Sequence, residues 1–232
     1  MAGLITHMVI AREIIKQLPE GSIRKEELFY LGNLAPDAIH AREGYIREYK
    51  KHTHFRDGIP DMDFELEKHQ STYRKRLEKF AAQNRERGDG LEDLYLGYVT
   101  HVLADELFIL TIRKEFCKSM EQMGIRQNDH RFFEYIVQDM NRNDFLLVRR
   151  YEDMEKIRRC IEQAEVCGID GLLSTLEMKN LMDWLVRYHF LEEHEFLDPV
   201  YISYDRTIAY IREAAGTIAD KLTGKKSLLR ML

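Results

Sequence analysis

Proline, glycine and cysteine are all scarce in this chain. Only 4 Pro and 13 Gly are spread over 232 residues, and no Ser/Gly/Pro-rich stretch forms a linker. The chain therefore reads as one domain, residues 1–232. Its three cysteines, Cys117, Cys160 and Cys167, are odd in number and lack Cys-x-x-Cys spacing. That excludes a disulfide framework and disfavours thiolate-bound metal. Reduced thiols fit a cytoplasmic protein. Positive charge is not in excess either: the formal net charge of −5 argues against a nucleic-acid binder that works by neutralising phosphates. The basic clusters Arg74-Lys75-Arg76 and Lys225-Lys226 read as solvated helix faces. Near the N-terminus there is no basic leader, and Arg12 and Glu13 interrupt the apolar run early, so no secretory signal is expected. The most apolar window, Leu94 to Ile112, approaches membrane-spanning length. It carries His101, Asp105 and Glu106 at its centre, which are costly in lipid. A buried helix of a soluble protein is expected there, and no transmembrane segment.

What the chain does have is helical periodicity from end to end. Leu4, His7, Met8, Ala11, Ile14, Ile15 and Leu18 share one stripe of a first helix, closed by Pro19. A second helix is expected at about Lys25 to Leu34. Ala35 precedes Pro36 and is biased away from helical geometry, which places Asp37 just past a helix end. From Ala38 to about Asp61 the periodicity fades and a long loop is expected, a kind of segment that is often functional. Asp61 or Asp63 then caps a helix from about Phe64 to Gln83. A central helix runs from about Leu91 to Met120, followed by helices near Arg131–Tyr151, Met154–Val166, Ser174–Glu192 and Asp205–Leu222. No alternating strand pattern occurs, so the class is all-α.

The central helix holds the strongest chemical clue. Leu94, Tyr98, His101, Asp105 and Phe108 share one face, while Val102, Leu103, Leu107 and Ile109 make the others apolar. A helix apolar nearly all round is buried. An ionised carboxylate inside it is costly unless paired or bound to a metal. His101 and Asp105 lie one helical turn apart, so both can reach one ion. A neutral histidine donating to Asp105 in the core explains this spacing as well. His7, inward on the first helix, adds a second buried imidazole. Asp37, which a turn accounts for equally well, and the loop pair His52-x-His54 bring further donors. Such nitrogen and oxygen ligand sets suit zinc, manganese or iron without thiolates.

The ordered segments Thr6-His7-Met8-Val9-Ile10-Ala11, Leu31-Gly32-Asn33-Leu34-Ala35-Pro36-Asp37, His52-Thr53-His54-Phe55 and Leu96 to Asp105 resemble the zinc-dependent phospholipase C-like family. The resemblance is confined to about residues 4–110. It implies a single all-helical domain, with a metal-site half at 1–120 and a helical C-terminal half at 121–232. It also implies relatedness to zinc-dependent single-strand nucleases, and hydrolysis of phosphodiesters with up to three zinc ions. Carried over residue by residue, Asp37, His54, His101 and Asp105 match the ligands of one metal. His7 matches a ligand of a second, with Asp105 as the bridge and Asp37 as a candidate general base.

The departures limit this carry-over. The secreted enzymes use a processed N-terminal tryptophan as a ligand, and no tryptophan stands at the start of this chain. They also place a histidine ten residues beyond the first central-helix histidine, where this chain has Thr111. A later His-x-x-x-Glu pair has only His189 with Glu193 as a loose counterpart. One well-formed zinc site, with at most a weaker second, is therefore expected, and Arg56 is a candidate cation for phosphoryl oxygens. The expected function is a cytoplasmic metal-dependent hydrolase of a small-molecule or lipid phosphoester. The alternative is a non-catalytic relative with a structural or sensory metal. An HD-type phosphohydrolase needs an adjacent His-Asp dipeptide, and Asp129-His130 runs in the reverse order.

Overall fold

The structure, a computed structural model, describes residues 2–85 and 87–224. Lys225-Lys226 lie outside the described residues. Ten α-helices make up the described chain: α1 (Leu4–Gln17), α2 (Glu26–Leu34), α3 (Arg47–Thr53), α4 (Glu67–Asn84), α5 (Glu92–Leu110), α6 (Ile112–Gln122), α7 (His130–Arg150), α8 (Met154–Gln163), α9 (Thr175–Val186) and α10 (Tyr204–Leu222). No strand occurs among the described residues, only one isolated bridge between Ile169 and Leu173. The molecule is all-α, as the periodicity requires.

Helix α5 is the axis of the fold. Its first half packs most extensively against α2, and α1, α4 and α10 cover its remaining faces. Two glycines bring α2 and α5 together. A methyl group at Gly97 would overlap the Phe29 carbonyl oxygen, and one at Gly32 would overlap the Leu94 carbonyl oxygen. Only glycine permits so close a backbone approach. The approach brings the Asn33 carbonyl of α2 within reach of His101 on α5. On the far side, the Tyr210 hydroxyl of α10 donates to the Ala104 carbonyl at 2.7 Å, and Tyr73 of α4 donates to Val102 at 2.8 Å.

Helix α1 is held at both ends. Leu18 is extended (ψ 151°), as a residue preceding proline should be. At the N-terminus, Asp144 reaches over from α7 and accepts hydrogen bonds from the Ile5 and Thr6 amides, each at 3.0 Å, and from the Thr6 hydroxyl at 2.8 Å. This is a helix cap supplied by a distant helix, and it satisfies amides that have no intrahelical partner. Burial pushes the Asp144 carboxyl up to about 6, against the pull of the Thr6 hydroxyl and the two amides.

Four expectations are corrected. Ala35 is helical despite preceding Pro36, because the chain continues from α2 directly into a 3-10 helix at Ala35–Ala41, and Asp37 sits in its first turn. The expected 38–61 loop contains the rest of that turn and the seven-residue α3. Neither Asp61 nor Asp63 caps α4: both lie in a separate 3-10 turn, and the residue before α4 is Leu66. The central helix breaks at Thr111 (φ −121°, ψ −83°), which divides α5 from α6. Glu92–Gln122, across that break, is long and apolar enough to cross a membrane by length and composition. However, 78% of its most apolar window is buried inside the fold.

Candidate metal centre

Five side chains from four segments meet beside α5. His7 comes from α1, Asp37 from the 3-10 turn, His54 from the end of α3, and His101 and Asp105 from α5. All five are buried, the most exposed being Asp37 at 6%. Their donor atoms form two overlapping triads, His7/His101/Asp105 and Asp37/His54/His101, with the atoms of each triad within 4.8 Å of one another.

The ring tautomers follow from what each Nδ1 touches. His101 Nδ1 lies 2.7 Å from the Asn33 carbonyl oxygen, and His54 Nδ1 lies 2.9 Å from the Lys50 carbonyl oxygen. A carbonyl can only accept, so both Nδ1 atoms carry protons and both Nε2 atoms present lone pairs. Those two Nε2 atoms face each other at 3.3 Å. Burial, more than any neighbour, depresses both imidazoles, and His101 is lowered to about 4, so neither gains the proton that would join them. Carboxylates complete the ring. His54 Nε2 is 3.5 Å from Asp37 Oδ1 and 3.5 Å from Asp105 Oδ2. His101 Nε2 stands 4.0 Å from the Oδ2 of each aspartate. Lone pairs thus converge on one point from four residues with no proton between them, which in a buried site calls for a cation. Tetrahedral zinc with bonds of about 2.0–2.1 Å has ligand–ligand edges of roughly 3.3–3.4 Å, close to the shorter of these separations. The donor set fits the ion.

Asp105 connects this cluster to His7. While Oδ2 faces His54, Oδ1 lies 3.3 Å from His7 Nε2 and accepts from the Ala2 amide at 3.1 Å. The carboxylate has the disposition of a bridge. The His7 ring stacks on His101 with centroids 3.8 Å apart and planes 10° apart. Among the described residues neither of its nitrogens makes a hydrogen bond, and Asp105 Oδ2 is equally unpartnered. Three buried polar atoms left bare in one place are more than a hydrogen-bonded core pair accounts for. The second cluster has fewer donors of its own, namely His7 and one oxygen of Asp105, beyond the His101 it shares.

Lys50 was not legible in the sequence. It is a buried lysine one turn before His54, and its ammonium donates to Asp37 Oδ1 and lies 2.9 Å from His40 Nε2. Burial alone would raise the Asp37 carboxyl; the Lys50 ammonium overrides this and holds it well below the usual carboxylate range. Thr53 completes the support by donating to the Pro36 carbonyl at 2.9 Å, which ties α3 to the turn carrying Asp37.

Other sequence candidates lie apart. His52 is exposed and pairs with Asp57 at 3.0 Å, outside the cluster. Arg56 is buried, but against Asp61 and the Phe64 ring. Thr111 donates its hydroxyl to the Leu107 carbonyl at 2.7 Å and ends α5. His189 is buried among Phe145, Trp184 and Tyr188, while Glu193 is exposed; neither joins the two triads. The three cysteines are unpaired.

No curated protein and no solved structure matches the chain. A family model does match a segment that begins one residue before His7, ends two after Asp105, and includes all five clustered residues. The match, over residues 6–107 and so less than half of the chain, is to the family described as zinc dependent phospholipase C, which is all-helical as the described residues of this protein are.

Proposed function

We propose that this protein is a metal-dependent hydrolase of a phosphate ester or phosphodiester, with Asp37, His54, His101 and Asp105 holding the principal ion. The observation that carries this reading is the pair of His54 and His101 Nε2 lone pairs facing each other at 3.3 Å, flanked by two carboxylates. A zinc ion held there supplies Lewis acidity and lowers the pKa of a water toward neutrality. The protein's own groups do the rest. Asn33 and Lys50 carbonyls fix the two imidazoles in the ligating tautomer. Asp105 shares its second oxygen with His7, which provides for a weaker second ion. Asp37 is the candidate proton acceptor. The Lys50 ammonium beside it offers fixed positive charge to a phosphoryl oxygen entering from the His40 side. Three free thiols support a cytoplasmic setting.

A second reading, a structural or sensory metal without catalysis, is favoured by the burial of all five donors. Hydrolysis separates the two. Purified protein is expected to cleave bis(p-nitrophenyl) phosphate, to lose that activity on chelation, and to regain it with zinc. Asp37→Asn is expected to lower kcat at least about 100-fold. Bound metal with no hydrolysis of any phosphoester tested would select the structural reading.

A further inference from the structure

Between α7 and the segment that follows α9 lies a cavity of about 430 Å³, lined by none of the five clustered donors. Four rings line it, Phe145 from α7 with His189, His194 and Phe196, and the carboxylates of Glu192 and Glu193 share the wall. The His194 ring stacks on Phe145 with centroids 3.9 Å apart, and its Nε2 donates to the Tyr188 carbonyl. His189 is only 5% exposed, and its Nδ1 has no hydrogen-bond partner among the described residues. Burial pushes this imidazole down to about 4, so it is neutral and one of its nitrogens keeps a lone pair.

One side of the cavity is a strap, residues 192–200, that forms neither helix nor strand. Its far end is pinned to α7. Asp139 accepts from the Val200, Tyr201 and Ile202 amides at 2.5–2.8 Å, and Arg142 donates to the Asp198 carbonyl at 3.3 Å. Among the described residues the amides of 193–198 donate no backbone hydrogen bond, which leaves them open to pairing with another extended segment. Leu191, Phe196, Leu197 and Val200 are 42–64% exposed. The nearby cations are already engaged: Arg187 pairs with Glu192 at 3.4 Å, Arg142 with Asp139 at 3.8 Å, and Arg149 lies 4.6 Å from the centre of the Phe196 ring. Glu193, Glu195 and Asp198 are exposed and have no ion pair among the described residues. Aromatic faces, carboxylates and a bare imidazole together suit a cation. A small amine would leave Leu197 and Val200 uncovered, so a longer occupant fits the strap better.

We propose that the strap docks an extended basic segment of a partner protein. One lysine or arginine side chain enters the cavity toward Glu192, Glu193 and His189, and flanking apolar residues cover Leu197 and Val200. The site stands apart from the metal centre and does not rest on the hydrolase reading.

Trp184 is the single tryptophan of the chain; it stacks on Tyr188 at 4.8 Å and meets His189 edge-on at 5.6 Å, so its fluorescence reports on the cavity. The probes are the peptide acetyl-Leu-Val-Lys-Val-Leu-amide, its counterpart with norleucine in place of lysine, and lysine amide alone. The lysine peptide is expected to bind on the order of tenfold more tightly than the norleucine peptide, through charge-assisted contacts. It is also expected to bind more tightly than lysine amide, which buries less apolar surface. E193K/E195K, at two exposed positions, should abolish the preference for lysine while keeping the wild-type melting curve. L197S/V200S should weaken both peptides alike, and decides the matter if the first variant does not fold. Equal affinity for the two peptides, no binding of either, or variants that bind as the wild type does overturns the proposal. A dimer in sedimentation that L197S/V200S abolishes overturns it too, because a second copy of the chain is then the occupant.

Discussion

At the scale of single residues, what distinguishes the centre is where protons are absent. His101 and His54 each spend their Nδ1 proton on a backbone carbonyl, so their Nε2 atoms have only lone pairs to offer each other. His101 and Asp105 were legible in the sequence because an interval of four puts both on one face of a helix apolar elsewhere. His7 was legible from its place on a buried stripe. Lys50 was not, since a lysine in a short aperiodic stretch looks like any solvated cation, and only the fold reveals it buried against Asp37. Asp144 was invisible for a similar reason: its partners, Ile5 and Thr6, lie far away in sequence. Its carboxyl, raised to about 6 by burial, makes a prediction with a definite sign. A folded-state value above the unfolded one means that the native protein binds the proton more tightly, so this group's contribution to stability grows as pH falls. Asp144→Asn should therefore cost more at pH 4.5 than at pH 7, by about 2 kcal/mol, read from urea melts at the two pH values. An equal cost at both would refute the assignment.

At the scale of elements, the site depends on how closely α2 and α5 approach. Gly97 and Gly32 let the two backbones touch, and the contact delivers the Asn33 carbonyl to His101. Gly97→Ala is expected to destabilise by about 3 kcal/mol, since the added methyl meets backbone that cannot rotate aside. It should also weaken metal retention more than an alanine on an exposed face of α4 does. Thermal melting together with metal analysis checks both. The long helices were legible because their apolar stripes run for three turns or more. Helix α3 was not, since seven residues are too few to establish a period. The break at Thr111 was hidden by apolar residues that continue through it, and the pre-proline bias at Ala35 was overridden by a chain that stays helical from α2 into the 3-10 turn. The same shortfall explains why the loop expected around His52 and His54 proved to be a helix end that buries one histidine and exposes the other.

At the scale of the whole molecule, a chain of net charge −5 gathers bare acceptors into one buried centre. Ion and fold are linked: a metal bound at 1,000 times its Kd adds about 4 kcal/mol to stability. Chelation should accordingly lower the Tm of the wild type and leave that of His101→Ala unchanged. The central claim, that the five converging residues bind a metal through nitrogen and oxygen alone, is tested most directly by metal analysis with X-ray absorption at the zinc edge. Wild-type protein dialysed free of excess zinc is predicted to retain at least one ion per chain, with a first shell of nitrogen and oxygen only, and His54→Ala/His101→Ala to retain none. A wild type that retains no metal, or a shell containing sulfur, would contradict it.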